Sequence, residues 1–131
     1  MVTEKRITGH DASNQRNGGY WEPDVAVTKN NIYLVYGMPD KPAGQSRIED
    51  TAFVYSNNAG TTFSKPINVS PGAKGFDVDD PIVEGDGDNV CIVWRDDRDG
   101  SGNTSNAVHA VCSQQAGRDL AKGVTEIRLG N

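Results

Sequence analysis

The sequence predicts an all-β protein built from two four-stranded antiparallel units, and three observations lead to this prediction. The 131 residues include 15 glycines and 6 prolines, and the hydrophobic fraction is 35%, a composition that suits many turns between short strands. Apolar and β-branched residues alternate with polar ones over short runs, without the apolar stripe of a helix. The chain also repeats itself with a period of about 57 residues.

The repeat is defined by segments that match at a nearly constant offset of 57 or 58 residues. The matching segments are 22–23 with 80–81, 31–36 with 89–94, and 56–60 with 113–117. A further echo relates 2–7 to 124–129, so residues 2–8 are predicted to be the outer strand of a preceding unit. The chain is therefore expected to form one domain over 1–131, with one unit at 19–70 and another at 77–130.

Each unit contains four segments of strand length. In the first unit they are 24–28, 32–37, 51–56 and 64–70. In the second unit they are 81–84, 89–95, 107–113 and 123–130. The polar segment 29–31, Lys-Asn-Asn, and the glycine-containing segment 85–89 have the composition of hairpin turns. A repeat of this length with four antiparallel strands is typical of a propeller blade.

The segment 56–63, Ser-Asn-Asn-Ala-Gly-Thr-Thr-Phe, predicts a tight turn that bonds to itself between two strands. It resembles the Asp-box, Ser-x-Asp-x-Gly-x-Thr-Trp/Phe, of sialidase-like β-propellers. The positions that carry the resemblance are Ser56, Asn58, Gly60, Thr62 and Phe63, with asparagine where aspartate is usual. The second copy, 113–120, lacks counterparts of Asn58 and Thr62 and is a degenerate Asp-box. The resemblance assigns these residues a structural role.

Propellers of this type usually have six blades, and the chain supplies about two. Two twisted sheets cannot close a ring, so their outer faces need a partner. Three arrangements remain open at this stage. A homotrimer would complete six blades. The chain could instead be a segment of a longer propeller, or the two sheets could pack face to face as a small sandwich.

The resemblance places a ligand face at the end of the strands opposite the Asp-box. The candidate ligand-binding residues on that face are Trp21, Glu22, Asp79, Asp80, Arg95 and Asp96. Trp21 is expected to lie outside a strand, as an exposed platform on which a sugar ring could stack. Trp94 ends an apolar run and is expected to pack between the sheets.

The function predicted from these residues is a non-catalytic module that binds carbohydrate or protein. The alternative is that the chain is a fragment or subunit of a sialidase-like glycoside hydrolase, which would need a pair of carboxyl groups or a tyrosine nucleophile with a carboxylate. The Arg-Ile-Pro motif is absent, and a full arginine triad cannot be assembled from Arg95 and Arg98. No catalytic residue is therefore assigned.

No cofactor is expected, and calcium is a weak alternative at 77–80 or 84–89, where oxygen ligands cluster without EF-hand spacing. Cys91 and Cys112 are expected to be buried free thiols. The repeat places both in neighbouring antiparallel strands, which leaves a cross-strand disulfide as the alternative.

The net charge of −5 and the isoelectric point near 4.9 argue against nucleic acid and anionic membranes as partners. No apolar run has the length of a transmembrane helix, and the first residues lack the apolar segment of a signal peptide. The compartment stays undecided from the residues, although the family resemblance implies a secreted or extracytoplasmic protein.

Overall fold

The protein folds into two four-stranded antiparallel sheets, which confirms the predicted all-β class. The computed structural model describes residues 21–38, 50–73, 76–98 and 107–129. The first sheet has the order β1 (Trp21–Val27), β2 (Ile32–Met38), β3 (Asp50–Ser56), β4 (Ile67–Asn68). The second has the order β5 (Val78–Asp86), β6 (Asn89–Asp96), β7 (Ala107–Ser113), β8 (Ile127–Leu129).

The observed strands overlap the predicted segments, but β1 and β5 each begin three residues earlier than predicted, and the outer strands are shorter than predicted. The outer strands β4 and β8 have only two and three residues, because only residues 67–68 pair with β3 and only residues 127–129 pair with β7. Two short 3-10 turns, Pro71–Ala73 and Leu120–Lys122, precede β5 and β8. In the described ranges no helix is long and apolar enough to cross a membrane. The predicted outer strand at 2–8 lies outside the described residues.

The first strand of each sheet contains the same bulge. The register shifts between Trp21 and Asp24 in β1 and between Asp79 and Ile82 in β5. Glu22 and Asp80 within these bulges both have φ of 51° and both precede a proline, which has no N–H for the ladder. The prediction that Trp21 lies outside a strand is wrong, because the bulge lets β1 resume pairing at Trp21.

The turns after β3 and β7 also match each other. Ser56 Oγ accepts a hydrogen bond from Gly60 N (2.9 Å), and Ser113 Oγ accepts one from Gly117 N (3.0 Å). Both glycines have φ of 83°, a left-handed conformation that favours glycine. Asn58 Oδ1 accepts from Thr62 N in the first turn, whereas Ser113 Oγ donates to Asp119 in the second. A carboxylate six residues after the serine thus replaces the missing counterpart of Asn58.

The two sheets pack through non-equivalent faces. The main core joins one face of the first sheet, with Tyr33, Val35 and Phe53, to a face of the second sheet with Ile92 and Trp94. At the repeat offset, Ile92 and Trp94 correspond to residues on the other face of the first sheet, namely Leu34 and Tyr36. The sheets are therefore related as successive units of a stack and differ from a sandwich in which equivalent faces meet.

The expectation of buried free thiols is wrong. Cys91 in β6 and Cys112 in β7 are directly opposite each other in the register, and their sulfur atoms are bonded. Both residues are exposed, because they lie on the face of the second sheet that points away from the first. The alternation of the strands, which puts Ile92 in the core, puts its neighbour Cys91 on the outside.

Candidate functional site

Four of the six candidate ligand-binding residues lie together at one exposed edge of the molecule. Arg95 Nη2 lies 3.0 Å from Asp80 Oδ2 and 3.7 Å from Asp79 Oδ2. Glu22 Oε2 accepts a hydrogen bond of 2.8 Å from the backbone N–H of Asp80, which connects the two sheets at this point. We call these four residues, Glu22, Asp79, Asp80 and Arg95, the arginine edge.

The strand register and the bulges explain why these residues meet. Asp79 and Arg95 are directly paired across β5 and β6, so their side chains share one face of the sheet. The bulge at Asp80 turns its backbone N–H away from the ladder and towards Glu22. The side chains of Arg95 and Asp80 remain 47% and 59% exposed, so solvent or a ligand can reach them.

Asp96 does not belong to the arginine edge, although it follows Arg95 in sequence. Successive residues of a strand point to opposite faces, and the side chain of Asp96 is 0% exposed. Its carboxylate accepts hydrogen bonds from Trp94 Nε1 (3.0 Å) and from the Arg98 guanidinium, with Oδ2 2.6 Å from Nη2. The structure thus places Asp96 in a buried charged centre and removes it from the surface that the resemblance implied.

The charged centre extends to the loop before β8. Arg98 Nη1 lies 2.6 Å from Glu126 Oε2, and Glu126 Oε1 accepts a hydrogen bond from the backbone N–H of Gly72. His109 lies against Trp94, with ring centroids 6.1 Å apart, and its Nε2 is 3.5 Å from Asp96 Oδ1. The centre therefore connects β6, β7 and the segments before β5 and β8.

Two opposed effects act on the pKa values in this centre. Burial by itself would raise the pKa of Asp96, but the hydrogen bonds and charge of Arg98, with the nearby His109, hold that pKa below its ordinary value. Burial by itself would lower the pKa of Arg98, but the hydrogen bonds and charges of Asp96 and Glu126 raise it. Asp96 and Arg98 are thus an ionised pair at neutral pH.

The two tryptophans have different places. Trp94 is 1% exposed and belongs to the main core, in agreement with the predicted packing between the sheets. Trp21 begins β1, and its side chain lies outside what the structure describes. Its predicted role as a platform for a sugar ring stays a prediction.

The segments considered for calcium form other structures. The tip of segment 84–89 is a turn between β5 and β6, with Gly87 at φ of 59°, and Asp88 Oδ1 accepts a hydrogen bond from Asn31 Nδ2 (3.0 Å). Among the described residues, no group of three or more His, Cys, Asp or Glu side chains has the arrangement of a metal site. Asp77 uses its backbone N–H to bond Asp97 Oδ1.

Sequence reasoning missed a shallow groove of about 550 Å³ beside β4. Its lining residues are Tyr55, Ser64, Lys65, Pro66, Ile67 and Ala121. The groove forms where the loop after the turn that follows β3 meets the 3-10 turn before β8, two segments that are far apart in the chain. The lining shows no sequence pattern of its own, and only the packing of the two sheets brings Ala121 to it.

No protein-family model, curated protein or solved structure matches the chain. Function is therefore inferred from the residues and their geometry alone.

Proposed function

We propose that each sheet is a blade of a sialidase-like Asp-box propeller and that the chain is a non-catalytic module that binds carbohydrate at the arginine edge. The observation that carries the blade assignment is the stacking of two repeated four-stranded sheets through non-equivalent faces. Successive blades of a propeller stack in this way, because each repeat presents the same pair of faces to its neighbours. The similar bulges and serine turns of both sheets support the assignment.

The chemistry of the arginine edge supports a polyhydroxylated ligand. A guanidinium offers several N–H donors in a fixed plane, and carboxylates accept hydrogen bonds from hydroxyl groups. Arg95 with Asp79 and Asp80 presents donors and acceptors side by side on an exposed surface. A vicinal diol of a sugar can bond to both kinds of group at once.

The described carboxylates give little support to glycoside hydrolysis. A general acid in such a reaction needs a raised pKa, so that it holds a proton to donate. The pKa of Asp96 is lowered instead, and its carboxylate is fully buried between Trp94 and Arg98. Asp79 and Asp80 both face the same arginine.

The disulfide supports an extracytoplasmic location. Disulfides persist in oxidising compartments and are rare in the cytosol, where thiols are kept reduced. Cys91 and Cys112 are exposed, so a cellular reductant would have access to them. We therefore place the module outside the cytoplasm, which agrees with the compartment that the family resemblance implies.

A glycan-binding panel with matched variants tests the proposal. We expect saturable binding of at least one glycan and a loss of about tenfold or more in affinity for Arg95→Ala, since each charge-assisted hydrogen bond contributes roughly 1.5–3 kcal/mol. Asp86→Ala removes an exposed carboxylate at the other end of β5 and should leave the affinity unchanged.

Three results would contradict it. Turnover of fluorogenic glycosides would favour the glycosidase alternative. Binding that is lost in Tyr55→Ala and kept in Arg95→Ala would move the site to the groove beside β4. Capture of a protein ligand with no glycan bound would leave the module but change its ligand class.

A further inference from the structure

We infer that copies of this chain associate head to tail, with the exposed face of the second sheet receiving strand β1 of a second copy. The inference rests on the blade-like stacking in the proposed function but not on carbohydrate binding. It follows from a comparison of the interface inside the molecule with the two surfaces that remain exposed at its ends.

The internal interface is made largely by β5 against β1 and β2. The backbone N–H of Val83 donates a hydrogen bond of 2.9 Å to Asp24 Oδ2. Gly85 lies against the ring of Tyr33, so closely that a Cβ at this position would be 2.8 Å from Tyr33 Cδ2. Tyr33 Oη also donates a hydrogen bond of 2.8 Å to the carbonyl oxygen of Gly87. The interface thus consists of an edge strand seated on the first two strands of the preceding sheet.

The face of β5 that packs against β1 and β2 has a counterpart in β1, and the matching face of β1 is exposed. At the repeat offset, Val25 and Val27 in β1 correspond to Val83 and Gly85 in β5. Their side chains are 54% and 69% exposed, although valines at such positions normally pack against a neighbour. The centre of the same face, at Val54, is buried, so the free part is the β1 edge, the same strand position that makes the internal interface.

The face of β1 and β2 on which β5 packs has a counterpart on the outer face of the second sheet, which we call the receiving surface. On the outer face of the second sheet, Ile82 corresponds to Asp24, Cys91 to Tyr33 and Val93 to Val35. Ile82 is 48% exposed and Cys91 is exposed, whereas Val35 is fully buried by β5 in the internal interface. Three further apolar residues extend this surface across β7 and β8: Val108 at 43%, Ile127 at 50% and Leu129 at 45% exposure. A contiguous exposed apolar surface of this kind marks an interaction site.

The side chains at the two surfaces have complementary sizes. Inside the molecule a large ring, Tyr33, meets a residue without a side chain, Gly85. At the junction between copies, Cys91 takes the place of the larger Tyr33, and Val27 takes the place of the smaller Gly85. The exchange keeps the summed volume similar, which is the condition under which packed interfaces tolerate substitution.

A second copy of the chain therefore fits the outer face of the second sheet, since its strand β1 corresponds to β5, the strand that packs on the first sheet inside the molecule. Contacts between different surfaces of identical chains are heterologous, and they form a ring if the rotation closes or an open array if it does not. A trimer would bring six sheets together.

The test is the mass in solution, measured by light scattering on the chain and on one variant for each surface. We expect wild-type protein with a mass that is a multiple of the 14.1 kDa protomer. Val25→Asp on β1 and Ile127→Asp on the outer face should each give monomers. A mixture of the two variants should give a dimer, because each variant keeps the surface that the other lacks. Lys122→Gln changes the charge by the same amount at an exposed residue outside the strands and should leave the wild-type mass unchanged.

The mixture of variants distinguishes head-to-tail association from symmetric pairing and from simple misfolding. A monomeric wild-type chain would overturn the proposal, as would a mixture that stays monomeric while both variants keep their far-ultraviolet circular dichroism spectra. Loss of association in Ile127→Asp alone would overturn it in favour of symmetric pairing of the second sheets. Glycan binding by a monomeric variant would leave the proposed carbohydrate site intact, so the two proposals fail separately.

Discussion

The same place in the two sheets holds an apolar cluster in one and a charged centre in the other. Tyr36, Met38 and Ala52 in the first sheet correspond at the repeat offset to Trp94, Asp96 and His109 in the second. The first set forms a small hydrophobic cluster with Val54, whereas in the second set Asp96 accepts hydrogen bonds from Trp94 and from Arg98. The strands pair in the same way in both sheets. The backbone pattern therefore does not depend on which chemistry fills this position.

This difference predicts that truncating a side chain to alanine at this position lowers the unfolding free energy more in the second sheet than in the first. Asp96→Ala removes the fully buried one of the two carboxylates that pair with Arg98, and removing one partner of a buried ion pair costs about 3–5 kcal/mol of unfolding free energy. Met38→Ala at the corresponding position removes only part of a half-buried side chain and should cost about 2 kcal/mol or less. Urea denaturation measures both, and equal losses would contradict an energetic role for the ion pair.

The pH dependence checks the same pair independently. The pKa of Asp96 is lower when folded than in an unfolded chain, so its contribution to stability is complete above the unfolded value of about 4. That contribution is lost as the pH falls through the folded value, because the carboxyl group must then bind a proton. Asp96→Asn should therefore flatten the acid limb of the stability profile, and an unchanged limb would show that other carboxylates set it.

The second comparison concerns the cross-strand pair Tyr33 and Tyr55, whose counterparts are Cys91 and Cys112. Replacing both cysteines by serine should lower the unfolding free energy by about 3 kcal/mol, the loop-closure estimate for the observed sequence separation of 21 residues. Reductant should lower the stability of the wild type to the same level and leave the double variant unchanged. Reactive thiols in the denatured, unreduced protein would contradict the bond.

The two serine turns give the third comparison. Ala at Gly60 or Gly117 is strained in both cases by φ of 83°, at a cost of about 1 kcal/mol. A Cβ at Gly60 would lie 3.2 Å from Ile32 Cδ1, but at Gly117 it would lie 2.6 Å from Phe53 Cε1. Thermal unfolding should show Gly117→Ala as the more destabilising by roughly 1–3 kcal/mol, the typical cost of overpacking. Equal shifts would mean that the Phe53 ring moves aside freely.

Local patterns in the sequence predicted much of the fold and part of the site. Alternating residues and turn composition predicted the strands, since each depends on neighbours in the chain. The repeat also placed Glu22 and Asp80 at corresponding positions, and they lie together at the arginine edge. The burial of Asp96 could have been predicted as well, because Trp94 was assigned to the core and residues two apart share a face.

Other features required the packing of one sheet on the other. Burial of Tyr33 and exposure of Cys91 occur at corresponding positions of the repeat. The difference arises because the second sheet covers the first on that side, while its own matching face stays uncovered by a further sheet. No local pattern distinguishes a covered face from an uncovered one.

The sequence by itself determined the strands, the self-bonded turns and the two-unit repeat, because hydrogen bonds and side-chain alternation within a strand are local. Tertiary structure alone decided which repeated positions became core, charged centre or exposed surface. The physical reason is that burial depends on what lies across a face, and a repeated sequence presents similar faces to different neighbours. For that reason the contact between Glu22 and Asp80 and the two exposed apolar surfaces depend on how the sheets are stacked, whereas the disulfide depends on strand pairing within the second sheet.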